Sequence, residues 1–472
     1  MFSLFDFFEI AGCFITQIVW PLRGPLSDGK ENLMPSLNTF CNLQSDALKR
    51  LIKEEASDSA NRVHPDSDFS RSRRLSVLAL AAVAYQTEDR SINRSLPILP
   101  DSLADVSLSA ISQGRQKIKH SLYSNVFYRM NDLFSSEDDK TFHGWRLLSV
   151  DGSEIPISAD GNDMSTYGGS KKGSKHHFYL ANPLYDVLNH VYIDLVMQPG
   201  SQKNEDAAFL ELSHRYEGEK AIFICDRGYE ALMTFYRLNQ ANTYFVIRIK
   251  DESSAISLLK HYPTPDTKEY DIPFNVTLTC KNNSHVKANW DTYKYISSYS
   301  RHPEFQNGVT ELPLHGRVVR YKTVCEGVES FITLFTNLPF EEFTTEDLCE
   351  IYRLRWQIEL SYRDIKERIG LKHMHGRKKE LIIGEVFAKM TLYNLYSRIR
   401  NRVEKSQEFA ERCRNAMKRK WEQKADYAFL ISAVHAFLWG SGIYTADRLI
   451  QLILRKTQSV RPGRADKRKK KR

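Results

Sequence analysis

Residues 221–238 have the sequence AIFICDRGYEALMTFYRL, the stretch that decides the fold class of this 472-residue chain. Its first five residues are apolar and predict a short buried strand. Asp226 follows directly, and Gly228 leads into a predicted helix. Residues 146–157, RLLSVDGSEIPI, show the same arrangement, because a short apolar strand there ends at Asp151. Each of these two aspartates is therefore expected at the end of a strand.

The segments around these two strands alternate in type. Residues 176–199 contain two β-rich runs with a turn between them, and residues 204–216 favour a helix. Residues 244–250, YFVIRIK, predict a further strand. This alternation of strands and helices from 146 to 250 indicates a layered α/β domain.

The whole chain has the length of roughly two to four folding units, and its 42% hydrophobic content excludes global disorder. We divide it by its patterns into five regions. These are a helical N-terminal DNA-binding region at 1–140, the first part of the α/β core at 141–250, an all-β insertion at 251–338, the second part of the core at 339–405, and a helical C-terminal region with a basic tail at 406–472. In the N-terminal region, we expect one helix capped by Ser107 or Ser109 to carry Arg115, Lys117 and Lys119 outward. The sequence leaves two roles open for these helices, which are DNA binding and packing in a core.

The first twenty residues are apolar and raise the question of a targeting segment. Asp6 and Glu9 interrupt them, and no basic segment precedes them, so we expect a helix that packs on the protein. No other apolar stretch is long enough to span a bilayer, which predicts a soluble protein. The seven cysteines have no paired spacing, so neither a zinc site nor a disulfide framework is expected and a reducing cytosol is the simplest setting.

Basic residues concentrate toward the C-terminus of a chain whose formal net charge is +9. The tail at 461–472 is RPGRADKRKKKR, and a second cluster lies at 412–424. Such clusters favour a polyanionic partner such as nucleic acid. A solvated tail without a partner is the alternative, because a dense run of like charge also keeps a segment unpacked.

Residues 344–370, TTEDLCEIYRLRWQIELSYRDIKERIG, predict one helix that begins at Thr344 or Thr345. At 100° per residue, four polar side chains fall within one narrow arc of this helix. They are Tyr352, Arg355, Glu359 and Lys366. An apolar stripe lies beside the arc and would pack the helix on the protein. A glutamate between two cations also fits an exposed helix with ion pairs, so the pattern alone leaves both interpretations open.

The two strand-end aspartates favour a functional interpretation of Glu359. In open α/β sheets, functional groups gather beyond the ends of the strands, where they can face a common crevice. Three carboxylates supply the oxygen ligands that Mg²⁺ prefers. Two such ions can activate an attacking oxygen and stabilise a leaving one in phosphodiester chemistry. Asp151, Asp226 and Glu359 are therefore the predicted metal ligands and catalytic residues.

The tract from Tyr352 to Lys366 matches the pattern Y-(2)-R-(3)-E-(6)-K without a gap. This pattern resembles the YREK motif of bacterial insertion-sequence transposases of the DDE type, insertion-sequence family four. The corresponding acids are Asp151 in SVDGSEIP, Asp226 in FICDRGY and Glu359, with spacings of 75 and 133 residues. These spacings suit a family with a β-rich insertion between the second aspartate and the glutamate. The resemblance covers about residues 70–465.

The resemblance implies a ribonuclease-H-like catalytic core with an all-β insertion, flanked by helical N- and C-terminal regions. It implies two Mg²⁺ ions, for which Mn²⁺ substitutes, and a homodimer that acts on double-stranded DNA, both paired terminal inverted repeats and target DNA, in the bacterial cytoplasm. By position, Tyr352 and Arg355 hold DNA phosphate near a displaced base, and Lys366 contacts a strand end. In relatives that form a hairpin, an aromatic residue of the insertion stacks on that base. Trp290 is a candidate for this role, but burial in the core is the interpretation that we favour.

The sequence therefore predicts a transposase that cuts DNA at the ends of an element and transfers the freed strand to target DNA. One alternative is a metal-dependent nuclease that never joins DNA. Another is a catalytically silent DNA-binding protein descended from a transposase. A glycosidase with a pair of carboxylates fits less well, because a basic helix and tail would serve no purpose there.

Overall fold

The computed structural model describes residues 35–71, 75–87, 91–135, 139–158, 163–169, 175–251, 254, 257–325, 328–415, 423–440, 442 and 444–459. The helix predicted within the first twenty residues and the basic tail at 461–472 lie outside these described residues. So does the middle of the basic cluster at 412–424.

Helices and strands follow one another in four groups along the chain. The first group is helical: α1 Leu37–Ser57, α2 Val77–Gln86, α3 Ile92–Ser95, α4 Leu108–Arg115 and α5 Ser121–Phe134. The second is mixed: β1 Arg146–Val150, β2 Ser153–Pro156, β3 Tyr167–Gly169, β4 Lys175–Asp186, β5 Val191–Pro199, α6 Glu205–Arg215, β6 Ala221–Cys225, α7 Leu232–Gln240 and β7 Tyr244–Ile249. The third is rich in strands: β8 Tyr270–Thr279, α8 Ser284–Ala288, β9 Tyr293–Tyr295, β10 Glu311–Cys325 and β11 Val328–Thr336. The fourth is α9 Thr345–Leu354, α10 Trp356–Glu367, α11 Lys379–Glu404, α12 Gln407–Asn415, β12 Gln423–Ala425, α13 Tyr427–Trp439, α14 Ala446–Arg455 and β13 Thr457–Ser459.

One large mixed sheet organises the fold. Its strand order is β2-β4-β1-β6-β7-β11-β10-β8-β9, with β3 and β5 also paired to β4. The central strands β1, β6 and β7 are parallel, and β4 is antiparallel to β1. The strands of the centre are buried on both faces, as their continuous apolar sequences predict. The prediction of a mixed α/β fold is therefore confirmed.

The segment 251–338 is rich in strands, as predicted, but it is not all β. Helix α8 begins after Asn283, whose side chain accepts a hydrogen bond from the backbone N–H of Val286 at 2.9 Å. The strands of this segment also continue the main sheet, because β11 pairs antiparallel with β7. The hydrogen-bonding edge of β7 thus determines where this segment lies.

An ion pair on the strands of this segment holds the start of α9. Arg317 on β10 binds the Asp271 carboxylate on β8 and donates to the backbone oxygen of Phe343 at 2.7 Å. The hydroxyl of Thr345 donates to the same carboxylate at 2.5 Å. Thr344 then caps α9 through a reciprocal pair of hydrogen bonds with Asp347, which confirms one of the two predicted helix starts.

The prediction of a single helix over residues 344–370 is wrong in one respect. The helix is interrupted at Arg355, which separates α9 from α10. The backbone N–H of Arg355 bonds to the oxygen of Tyr352, and that of Ile358 bonds to the oxygen of Arg355, both at 3.1 Å. These three-residue spacings tighten the backbone locally, which a pattern of apolar residues does not reveal.

Helix α11 passes through the core and links the N-terminal helices to the sheet. Almost every residue from Leu381 to Ser397 is buried, as expected for a helix surrounded by protein. Glu385 forms an ion pair with Arg115 on α4, and the two side chains are 2% and 1% exposed. The expectation that Arg115 points outward is therefore wrong, because the carboxylate on α11 provides its partner.

The C-terminal region is mainly helical, but β12 and β13 form a small antiparallel sheet within it. The prediction of a helical C-terminal region did not include this sheet. No helix in the described part of the chain is both long and apolar enough to cross a membrane.

Candidate active site

The register of two parallel strands brings Asp151 and Asp226 to the same edge of the sheet. Ser149 on β1 pairs with Ile224 on β6, and the Ser149 hydroxyl donates to the oxygen of Ile224 at 3.0 Å. Asp151 lies two residues after Ser149, and Asp226 lies two residues after Ile224. The sequence-based prediction that both lie at strand ends is confirmed.

Asp226 is held in place by the turn that it begins. Its Oδ1 atom accepts a hydrogen bond from the backbone N–H of Gly228 at 2.7 Å. A Cβ atom on Gly228 would lie 2.8 Å from that oxygen. Glycine therefore permits the close approach between this turn and the carboxylate.

Three polar residues of the predicted arc lie together around the break between α9 and α10. The Arg355 guanidinium donates to Oε1 of Glu359 at 2.8 Å. It also lies 5.7 Å from the ring centroid of Tyr352 and 6.0 Å from that of Trp356. The predicted grouping of Tyr352, Arg355 and Glu359 is thus present in the structure.

The charge of Asp226 affects the pKa values of Arg355 and Tyr352. Burial lowers the pKa of Arg355, but Tyr352, Glu359 and Asp226 outweigh that effect and raise it above its usual value. Burial raises the pKa of Tyr352, and Asp226 adds to this rise while Arg355 opposes it. The Arg355 cation is therefore stabilised by the negative charges of both Glu359 and Asp226.

Helix α10 is attached to the end of β1 by two further side chains. The hydroxyl of Tyr362 donates to the backbone oxygen of Asp151 at 2.5 Å. Lys366 donates to the hydroxyl of Ser153 at 2.6 Å and to the backbone oxygen of Glu154 at 2.9 Å. Burial lowers the pKa of Lys366, and Asp151 partly opposes this effect. These contacts bring α10, which carries Glu359, to the strand end that carries Asp151.

Sequence reasoning missed Tyr362, although a signal was present. Tyr362 follows Glu359 by three residues, so both lie on the same side of a helix. Trp356 was also missed: its side chain is 55% exposed beside Arg355.

The three acids share one region of the molecule but do not form a closed metal site. No group of three or more histidine, cysteine, aspartate or glutamate side chains within the described ranges is arranged to hold a metal ion. Arg355 occupies one side of the Glu359 carboxylate. The arrangement therefore has two acids at the ends of neighbouring strands and one on the helix attached to them.

Trp290 of the strand-rich segment is not part of the core. Its side chain is 40% exposed and contacts the ring of His261 at a centroid distance of 5.2 Å. The interpretation that placed this tryptophan in the core is therefore wrong. Its suggested contact with a displaced base stays a prediction.

The fold and site together define a mixed α/β protein with two strand-end aspartates and a glutamate on a helix beside them. Residues 143–395 match the family model of the transposase DDE domain. This match includes more than half of the chain, and the chain belongs to that family. The resemblance drawn from the YREK pattern is thereby confirmed.

Individual relatives match over very different lengths. The transposase for insertion sequence element IS421 from Escherichia coli and the InsL protein of element IS186A from strain K12 are each 35% identical over 75 residues, 16% of this chain. The chain spans only 20% of the length of those two relatives. The transposase InsG for insertion sequence element IS4 from E. coli K12 is 22% identical over 387 residues, which cover 79% of this chain and 76% of that protein.

One solved structure shows a weak similarity. It is a chain of the piggyBac transposase synaptic complex with hairpin DNA, with a TM-score of 0.37 and 10% identity over 93% of this chain and 81% of that chain. A similarity of this size carries no argument about the fold.

Proposed function

We propose that this chain is a transposase that cuts DNA at the ends of its element and joins the freed end to target DNA. One observation carries the proposal: Asp151 and Asp226 end neighbouring parallel strands, and the helix with Glu359 is attached to the same edge. Membership of the transposase DDE family supports the proposal. Water would hydrolyse the phosphodiester at the element's end and free a 3′ hydroxyl. That hydroxyl would then attack a target phosphodiester and displace the target's own 3′ oxygen.

The donor set fits a pair of hard divalent cations. Asp151, Asp226 and Glu359 offer carboxylate oxygens, the ligands that Mg²⁺ and Mn²⁺ prefer. The side chain of Glu359 is 33% exposed, so its carboxylate stays accessible to an incoming ion. Two bound Mg²⁺ ions would activate the attacking oxygen and stabilise the leaving one.

Tyr352 and Arg355 are proposed to bind the DNA backbone beside the cleaved bond. A guanidinium presents a planar fork that matches two phosphate oxygens. The stacking of Arg355 near Tyr352 holds that fork next to Glu359. Lys366 is proposed to contact a strand end, while its bonds to Ser153 and Glu154 fix its position at the end of β1.

The strand order favours a ribonuclease-H-like core. An antiparallel pair, β4 and β5, lies beside β1, and β6 and β7 continue from β1 in parallel. We propose that residues 141–250 and 339–405 form this core and that 251–338 is its insertion. The helical regions at 1–140 and 406–472 are proposed to bind terminal repeats or a second subunit, since the active form is proposed to be a homodimer on DNA.

Substitution of Arg355 by alanine is expected to lower the rate of DNA cleavage by roughly 10- to 100-fold. Groups that orient a functional carboxylate commonly contribute that much. Arg355→Lys is expected to recover little, because a lysine ammonium lacks the planar fork. Initial cleavage rates on DNA with the element's ends measure the effect. Arg353→Ala is the control, because Arg353 lies on α9 just before the interruption and its side chain is 70% exposed; a wild-type rate for Arg355→Ala would contradict the role.

Joining distinguishes a transposase from a nuclease. The purified protein is incubated with Mg²⁺, a pre-cut element end bearing a free 3′ hydroxyl, and a supercoiled target plasmid. The proposal predicts a covalent product that carries the labelled end within the plasmid. Nicked plasmid without the label would instead identify a metal-dependent nuclease and overturn the proposed joining activity.

A further inference from the structure

We propose that Glu205 and the side-chain oxygen of Asn182 form, beside Asp151, an additional set of oxygen ligands for a divalent cation. Glu205 would then be a fourth acidic residue of the site, contributed by helix α6. This inference rests on the proposed metal-dependent function and extends it to residues outside the DDE set.

The strand pairing and one glycine bring the two side chains together. Ser153 on β2 pairs with Ala181 on β4, so Gly152 stands beside Asn182. A Cβ atom on Gly152 would lie 2.6 Å from Oε1 of Glu205 and 3.1 Å from Oδ1 of Asn182. Both oxygens therefore converge on one point, directly next to Asp151 in the chain. Only glycine leaves room there for both of them.

The amide of Asn182 is oriented so that its oxygen faces this point. Asn182 is fully buried, and its Nδ2 atom faces the backbone oxygens of Leu180 and Val196 and the side-chain oxygen of Gln198, at 3.4 to 3.5 Å. Its Oδ1 atom has no hydrogen-bond partner among the residues that the structure describes. A buried acceptor without a partner costs roughly 1–3 kcal/mol.

A cation satisfies this arrangement better than another side chain does. An ionised carboxylate only accepts hydrogen bonds, and so does the oxygen of an amide. The Oδ1 atom of Asn182 therefore cannot donate to the Glu205 carboxylate, but both oxygens can bind a hard divalent cation, which takes carboxylate and amide oxygens. The Tyr362 hydroxyl, which donates to the backbone oxygen of Asp151, is affected by the charges of both Asp151 and Glu205, so the proposed ligands lie near the proposed active site.

Two buried phenols lie close enough to Glu205 and Asp151 for both charges to affect them. Burial raises the pKa values of the Tyr229 and Tyr362 hydroxyls well above the usual range, and the charges of Asp151 and Glu205 add to both shifts. The Tyr229 side chain is fully buried, and its hydroxyl has no hydrogen-bond partner within the described segments. A water molecule bound to a cation at this point would supply a partner for such a hydroxyl.

Titration of the full-length protein with Mn²⁺, with free Mn²⁺ counted by electron paramagnetic resonance, tests the site. Glu205→Gln is expected to weaken Mn²⁺ binding by about 10-fold or more, since even indirect partners of metal ligands contribute 10- to 100-fold. Gly152→Ala is the second variant, because its methyl group would displace the Glu205 carboxylate without a change in charge. Glu211→Gln is the matched control: Glu211 lies on the same helix, its side chain is 51% exposed, and it pairs with Arg215. Circular dichroism checks that each variant is folded.

The outcomes separate this inference from the proposed function. Weakened binding in Glu205→Gln and Gly152→Ala, with wild-type binding in Glu211→Gln, supports the additional ligands. Wild-type affinity for Mn²⁺ in both test variants overturns the additional ligands. The space between Glu205 and Asn182 then holds water alone. If Asp226→Asn still weakens binding in that case, the proposed function stands without this inference. Absence of Mn²⁺ binding by the wild-type protein would overturn both.

Discussion

Replacement of Glu359 by glutamine is expected to lower the rate of DNA cleavage by about 10³-fold or more. Loss of one preorganised electrostatic group at a reacting centre already costs about 10²- to 10³-fold, and here a proposed metal ligand is lost as well. DNA binding is expected to remain, because the substitution removes a negative charge and releases Arg355 from its ion pair. Initial rates at saturating protein separate cleavage from binding.

Glu350→Gln is the matched control for this substitution. Glu350 lies on α9, its side chain is 52% exposed, and it pairs with Arg353 at 3.0 Å. Its neutralisation changes the net charge by the same amount but leaves the site intact, so cleavage at the wild-type rate is expected. If Glu359→Gln also cleaved at that rate, the carboxylate on α10 would have no part in the reaction.

Replacement of Glu385 by alanine is expected to reduce the free energy of unfolding by about 3–5 kcal/mol. Removal of one partner of a buried ion pair leaves the other charge buried without compensation. Arg115 is the partner, and the two side chains are 1% and 2% exposed. The Glu385 carboxylate also accepts a hydrogen bond from the backbone N–H of His375 at 2.9 Å. Urea unfolding of the wild type and the variant, with equal slopes, measures the difference.

The double variant Arg115→Met with Glu385→Leu is the control for this effect. Apolar residues of similar volume can replace a buried ion pair with little loss of stability. We therefore expect the double variant to be more stable than Glu385→Ala. A loss below about 1 kcal/mol for Glu385→Ala would contradict a stabilising role, because it would match the value of an exposed ion pair.

The same ion pair gives wild-type stability a dependence on acid pH. Burial raises the pKa of Glu385, but Arg115 and His375 outweigh this effect and lower it to about 2. An unfolded glutamate titrates near 4.3. The contribution of Glu385 to stability is therefore fully present above about pH 4.3 and is lost as the pH falls toward 2. Unfolding of Glu385→Ala should lack this part of the pH dependence.

Local patterns predicted the parts of the site that lie within single elements. The strand at 221–225 was predicted with its observed bounds, because five apolar residues end at an aspartate that begins a turn. The helical period placed Tyr352, Arg355 and Glu359 on one side, as observed. Such patterns report the neighbours of a residue along its own helix or strand.

Features that depend on distant segments were not predicted. Arg115 and Glu385 are 270 residues apart in sequence, so nothing near Arg115 indicates its buried partner. Glu205 reaches Gly152 because α6 packs on β4 and β5. The interruption at Arg355 follows from backbone hydrogen bonds that an apolar stripe does not encode. In the first two cases the position is fixed by tertiary packing.

The most direct test of the central claim is cleavage of DNA that carries the element's own ends, with and without Mg²⁺. Wild-type protein and Asp226→Ala are compared side by side, with DNA binding measured for both. We expect Mg²⁺-dependent cutting by the wild type alone and retained DNA binding by the variant. Cutting by Asp226→Ala at the wild-type rate would contradict the role of the three acids. Tight binding without cutting by either protein would instead identify a catalytically silent DNA-binding protein.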